Sequence, residues 1–127
     1  MERLKMQSYE QLKQYLLEKP ETMLDFPFGA DVSVFKVKKK MFALIGKHNG
    51  LMMLNLKCPP EESPILQDIF PAITSGYHMD KRHWISIYFD KDNPVPEGEV
   101  LRLIDQSFNL VVQKLPKKEQ SSILLKL

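Results

Sequence analysis

The sequence predicts an α+β fold: one twisted antiparallel sheet with helices packed mainly on one face, in the order α-βββ-α-β-α. Three observations carry this prediction. Short strand-like runs separated by turn residues crowd between positions 32 and 57. An isolated run with a clean period of two follows at 84–89. Stretches with helical spacing precede, interrupt and follow these runs. The 127 residues show no repeat, low-complexity tract or Gly/Ser linker, so one domain is expected over 1–127.

Tyr9, Leu12, Tyr15, Leu16 and Lys19 recur at helical spacing, with Ser8 placed as N-cap and Pro20 as stop. Leu12 and Leu16 face a core, and Glu10, Lys13, Gln14 and Glu18 face solvent. Phe26-Pro27-Phe28-Gly29 then breaks the chain direction, and its aromatics are expected to plug the core's edge. Residues 32–37 include β-branched and aromatic side chains, Lys38-Lys39-Lys40 forms a charged tip, and 41–45 returns, apolar at every position. Such a run fits a strand covered on both faces. Asn49-Gly50 is a strong hairpin dipeptide. After it, Met52, Leu54 and Leu56 share one face, with Asn55 and Lys57 on the other.

Pro59-Pro60-Glu61-Glu62 opens a short helix through Leu66 and Phe70, with Pro64 in its first turn. A further strand is suspected in 71–76. In 84–89, Ile85, Ile87 and Phe89 alternate with Trp84, Ser86 and Tyr88. The last clear helix spans about 96–114 on an apolar stripe of Val100, Leu103, Ile104, Phe108, Val111 and Val112. Leu115-Pro116 ends it, and the tail 117–127 either forms a short amphipathic helix or frays.

The formal net charge of +2 is unevenly placed: residues 1–57 carry net +4, 58–90 net −3 and 91–127 net +1. A local basic patch is compatible with this balance, but an anionic partner is not demanded by it. A single cysteine, Cys58, excludes an internal disulfide and fits a reducing cytoplasm. No apolar run approaches the ~20 residues that span a bilayer. The N-terminus alternates charged and apolar residues, unlike a signal peptide. The expected location is cytoplasmic, without membrane contact.

The densest segment is Gly76-Tyr77-His78-Met79-Asp80-Lys81-Arg82-His83-Trp84, with rings and cations crowded into nine positions. Several segments resemble one family. Leu24-Asp25-Phe26-Pro27-Phe28-Gly29 looks like its "fPFG" motif. Val34-Phe35-Lys36-Val37 with Lys40-Met41-Phe42-Ala43-Leu44 looks like its first hairpin, and Asn55-Leu56-Lys57-Cys58 like "NLKC". Gly76-Tyr77-His78-Met79 with Lys81-Arg82-His83-Trp84 resembles "PGYHMNKxHW". Ser107-Phe108-Asn109-Leu110-Val111 and Leu115-Pro116-Lys117-Lys118 resemble the closing motifs. The chain is similar in this way to the MmcQ/YjbR family, from about Tyr9 to Lys118. Ser75 stands where that family usually has proline, Asp80 where it has asparagine, and Ile85-Ser86 where it has Asn-Thr. Gln67 replaces a common arginine.

The resemblance implies a fold like that of CyaY and of type III secretion chaperones. It also implies DNA binding through projecting hairpins, with no catalytic residue. On the residues themselves, Lys36, Lys38, Lys39 and Lys40 at a hairpin tip are candidates to contact phosphates. Lys81 and Arg82 would extend that surface. A lysine-rich tip also protects strand edges from aggregation, a purely structural role. Gly76, Tyr77, His78, Met79, His83 and Trp84 are expected to anchor the loop, with its cations outward.

His78, His83, His48 and Cys58 lack the tight spacing of a zinc site, so no metal is assigned. No phosphate loop or nucleophile elbow occurs, and no cofactor or small-molecule ligand is inferred. The resemblance, with the clustered charge, implies non-enzymatic DNA binding as the expected activity. The alternative is a protein-interaction module that takes a peptide or a second copy on a sheet face. That face would be the one bearing Asn55, Ser86 and Tyr88, or the methionine-lined surface.

Overall fold

Ser8 Oγ accepts a hydrogen bond from the Gln11 amide at 3.2 Å and starts helix α1 (Tyr9–Leu17). The computed structural model describes residues 8–126. Four strands follow α1: β1 (Thr22–Asp25), β2 (Ser33–Val37), β3 (Lys40–His48) and β4 (Leu51–Lys57). Then come α2 (Ser63–Ile69), β5 (Ile73–Ser75), β6 (Trp84–Tyr88), α3 (Glu97–Val112) and α4 (Lys117–Leu124). The strands form one antiparallel sheet in the order β1-β2-β3-β4-β6-β5.

One face carries the main core. Leu12 and Leu16 of α1 and Val100, Leu103, Ile104 and Phe108 of α3 pack there with Phe35, Val37, Ile45, Leu54, Leu56, Ile85 and Ile87. The apolar run at 41–45 is divided between the two faces by a bulge. Phe35 pairs with Ala43 and Lys36 with Met41, so Phe42 is the extra residue on β3. Phe42 turns to the helix side, edge-on to Phe108 with ring centroids 5.2 Å apart. Met41 and Leu44 join Val34 and Met53 on the opposite face, which no helix of the described residues covers.

Ser107 pins α3 to this irregularity. Its hydroxyl donates to Phe42 O at 2.6 Å and accepts from the Lys57 amide at 2.8 Å. The side chain is fully buried.

One element goes beyond the sequence reading and one expectation is overturned. β1 was not anticipated, whereas β5 lies in the segment where a further strand was suspected, and the tail forms α4 with Ile123 buried. Phe26 and Phe28 do not plug the core: they are 45% and 67% exposed. The edge they were expected to close is occupied by β1. A turn closed by Gly29 N–H on Phe26 O at 3.3 Å carries both rings outward.

Candidate nucleic-acid interface

The loop between β5 and β6 is held by its own backbone and by two buried side chains. Gly76 N–H donates to Trp84 O at 2.9 Å and His83 N–H to Asp80 O at 3.1 Å. A Cβ on Gly76 would lie 2.7 Å from Trp84 Cβ and 3.1 Å from Trp84 O, so only glycine allows this closure. Tyr77 N–H donates to Ser86 Oγ at 2.8 Å, Ser86 donates to Asn55 Oδ1 at 2.5 Å, and Asn55 Nδ2 returns to Tyr77 O at 3.2 Å. Asn55 and Ser86 are thereby buried beneath the loop. They offer nothing to a partner.

Tyr77 and Trp84 form the packed part of the ring cluster. Trp84 is buried, and Tyr77 lies flat on His48, with centroids 3.7 Å apart and planes 19° from parallel. His48 also shares a 2.8 Å hydrogen bond with the Tyr88 hydroxyl. His78 is exposed, at φ 58°, on the outer side of Tyr77; Met79 and His83 are half-buried.

Three of the six candidate cations are occupied. Lys36 Nζ meets Asp25 at 3.0 Å and Lys38 Nζ meets Glu21 at 2.6 Å. Lys81 Nζ donates back to Gly76 O at 3.0 Å and so staples its own loop. Lys39, Lys40 and Arg82 are exposed and form no ion pair with a described residue.

The fold adds two cations that the sequence reading did not single out. Lys57, at the end of β4, pairs in register with Trp84, which places it beside the Arg82 end of the loop. Burial lowers the pKa of Lys57, and the nearby ammonium groups of Lys114 and Lys40 lower it further, against the Asp80 carboxylate. Lys40 of β3 and Lys114, in the segment after α3, thus both act on Lys57 at the end of β4. None of the three forms an ion pair with a described residue. The signal available in sequence was slight: one lysine ends a strand and another ends a helix.

Other chemistry finds little support in this arrangement. Among the described residues no group of three His, Cys, Asp or Glu side chains is placed to hold a metal. Cys58 is buried, and burial pushes its thiol up to about 12, so it is a poor nucleophile.

A family model, YjbR, matches residues 17–110. The chain belongs to the YjbR family. An E. coli O157:H7 member, the uncharacterized protein YbdF, is 40% identical over 91% of this chain and 93% of its own length. The uncharacterized protein YyaQ of Bacillus subtilis (strain 168) is 37% identical over 80% of this chain and 95% of its own. Among solved structures, Deinococcus radiodurans DR2400, with the domain DUF419, superposes with a TM-score of 0.83 at 32% identity. That match covers 93% of this chain and 88% of that one. YjbR relatives therefore share the sheet and its helices with this chain; their names state no activity. No helix among the described residues is long and apolar enough to cross a membrane.

Proposed function

We propose that this YjbR-family protein is a non-enzymatic DNA-binding protein that lays phosphates across the end of its sheet. The contacts are made by Lys39, Lys40, Lys57, Arg82 and Lys114. Lys36, Lys38 and Lys81 hold the hairpin and the loop in place behind them.

One observation carries this reading: the ammonium groups of Lys114 and Lys40 act on that of Lys57, partly offset by the Asp80 carboxylate, and none of the three lysines forms an ion pair with a described residue. Like charges gathered with incomplete neutralisation repel, and a polyanion relieves that repulsion while shedding its own condensed counterions. Binding of this kind is largely indifferent to base sequence, because lysines positioned on phosphates read no base edges.

The test is fluorescence anisotropy of a labelled duplex across a salt series. Five phosphate contacts predict a slope of log K against log salt of roughly −4 to −5. Replacing Lys40, Lys57 and Lys114 together by Gln abolishes retention at low salt while leaving the circular dichroism unchanged. Lys38 is left intact, since its partner Glu21 gives it a structural role. Undiminished binding by the triple variant, or a slope near zero, removes this surface from consideration.

A further inference from the structure

We infer that a polar cleft beside the β3–β4 turn binds one sugar ring through a pair of neighbouring hydroxyls. This goes beyond the DNA reading and does not depend on it. Lys40 and His48 stand at opposite ends of β3, roughly 26 Å apart along the strand, so the cleft lies away from the lysines assigned to phosphate.

The cleft has a volume of about 340 Å³, at the small end of ligand-binding clefts. Three segments build it: the β3–β4 turn, β5, and the chain leading from β6 to α3. Tyr88 N–H donates to Ala72 O at 2.8 Å and Phe89 N–H to Met52 O at 3.0 Å, which ties its walls to the sheet. His48 is fixed by its stack on Tyr77 and by the 2.8 Å bond it shares with the Tyr88 hydroxyl. The Asp92 amide donates to one carboxylate oxygen of Asp90 at 2.8 Å, and the other oxygen has no hydrogen bond from a described residue. The side chains of Asn49 and Asn93 also line the cleft, and neither is hydrogen-bonded to a described residue. Thr74 and Tyr88 add two hydroxyls, and Leu51 and Ala72 an apolar wall.

The balance of donors and acceptors decides the ligand. With His48 neutral, Asp90 is the one charged side chain in the lining. Phosphate brings acceptors only and would meet that carboxylate with like charge. An alkylammonium brings donors only and would leave the two asparagine amide N–H groups unmatched. A sugar hydroxyl both donates and accepts. One hydroxyl donates to Asp90, its neighbour accepts from an asparagine amide, and the C–H face of the ring rests on Leu51 and Ala72. Free monosaccharides and the ribose of a nucleoside both present such a pair of hydroxyls.

The experiment is a titration of the full isotope-labelled chain followed by its backbone amide shifts in NMR. The probes are ribose, glucose, galactose, mannose, adenosine and 2′-deoxyadenosine, with inorganic phosphate and spermidine as charged controls. At least one sugar-bearing probe should give saturable shifts at the amides of Asn49, Thr74, Asp90 and Asn93. Saturation by a monosaccharide assigns a free sugar. Saturation by adenosine, with 2′-deoxyadenosine about tenfold weaker, assigns a nucleoside ribose. Asp90→Asn keeps the acceptor for the Asp92 amide, and Asn49→Gly suits the φ of 53° in that turn. Each should weaken binding about tenfold while the remaining amide shifts stay those of the parent. No saturation by any sugar-bearing probe overturns the proposal, and so does saturation by spermidine or phosphate in their place. Equal affinity for adenosine and 2′-deoxyadenosine, without binding of a monosaccharide, assigns the cleft to a base and overturns it as well. Undiminished binding by both variants overturns the placement in this cleft.

Discussion

The carboxylate of Glu21 meets the ammonium of Lys38 at 2.6 Å, and both residues sit in the left-handed region, at φ 57° and 49°. Glu21 also accepts from Ser122 of α4 at 2.8 Å and lies 3.6 Å from Lys126. The tip of the β2–β3 hairpin is therefore fastened to the C-terminal helix through one acid. That fastening explains a turn that local preference resists. Val37 pairs with Lys40, which leaves a two-residue loop whose central residues, Lys38 and Lys39, are at φ 49° and 69°. Such turns favour Asn-Gly, because a Cβ is strained at positive φ.

Lys39→Gly should relieve that strain. The expected gain is about 0.5–1 kcal/mol in unfolding free energy, read from urea titrations. The same change removes one phosphate contact, so the DNA salt slope should become shallower by about 0.9. Lower stability would mean that the lysine side chain holds the turn by contacts outweighing its backbone strain.

Acid should loosen this end of the molecule. Hydrogen bonds from Lys38 and Ser122 hold the Glu21 carboxyl below its ordinary value, and those from Lys36 and the Phe26 amide do the same for Asp25. Burial alone would raise Glu62, yet hydrogen bonds from Arg102 and Gln106 bring it down. With folded values below unfolded ones, the unfolded chain takes up protons first as pH falls. Their stabilisation is present above about pH 4.5 and is lost as pH drops through the lower folded values. Urea midpoints measured from neutral pH downward should fall across that window, less steeply for Glu21→Gln. Identical acid limbs in parent and variant would show that Glu21 contributes nothing to them.

Gly76→Ala should damage the ring-rich loop more than its size suggests. The added Cβ would lie 2.7 Å from Trp84 Cβ and 3.1 Å from a backbone oxygen, neither of which is the free end of a flexible side chain. Overpacking of this kind costs about 1–3 kcal/mol. Near-ultraviolet circular dichroism should report the displaced Trp84. A variant with unchanged stability and spectrum would mean that the loop closes less tightly than 2.9 Å between Gly76 N and Trp84 O implies.

The helical stripe of α3 and the alternation of β4 and β6 were legible because burial on one face imposes a period that sequence records directly. β1 was not. Thr22–Asp25 has four residues, only one of them β-branched, and becomes a strand by pairing with β2. That single omission altered the reading of the site. β1 places Asp25 against Lys36, and the turn leading into it places Glu21 against Lys38, so half of the lysine hairpin proves structural. Lys57 and Lys114 went unread for the complementary reason. They converge only once the β4–β6 register and the crossing of α3 are fixed, and neither leaves a local trace in sequence.

Ser107 is the strongest single test of how α3 is seated. Its hydroxyl serves two backbone groups beside the β3 bulge: the Phe42 carbonyl at 2.6 Å and the Lys57 amide at 2.8 Å. Both lie where the ladder is interrupted or ends, so neither has a ready substitute. Ser107→Ala preserves helix propensity and nearly preserves volume, yet strands a donor and an acceptor. The expected loss is about 2–4 kcal/mol, the sum of two buried unsatisfied groups. Ser107→Thr adds a methyl to the same fully buried position and should also destabilise, by overpacking. Because the Lys57 amide leads into the cation cluster, Ser107→Ala should also weaken duplex binding under conditions where it remains folded. A loss under about 0.5 kcal/mol would mean that water reaches the bulge and replaces the hydroxyl.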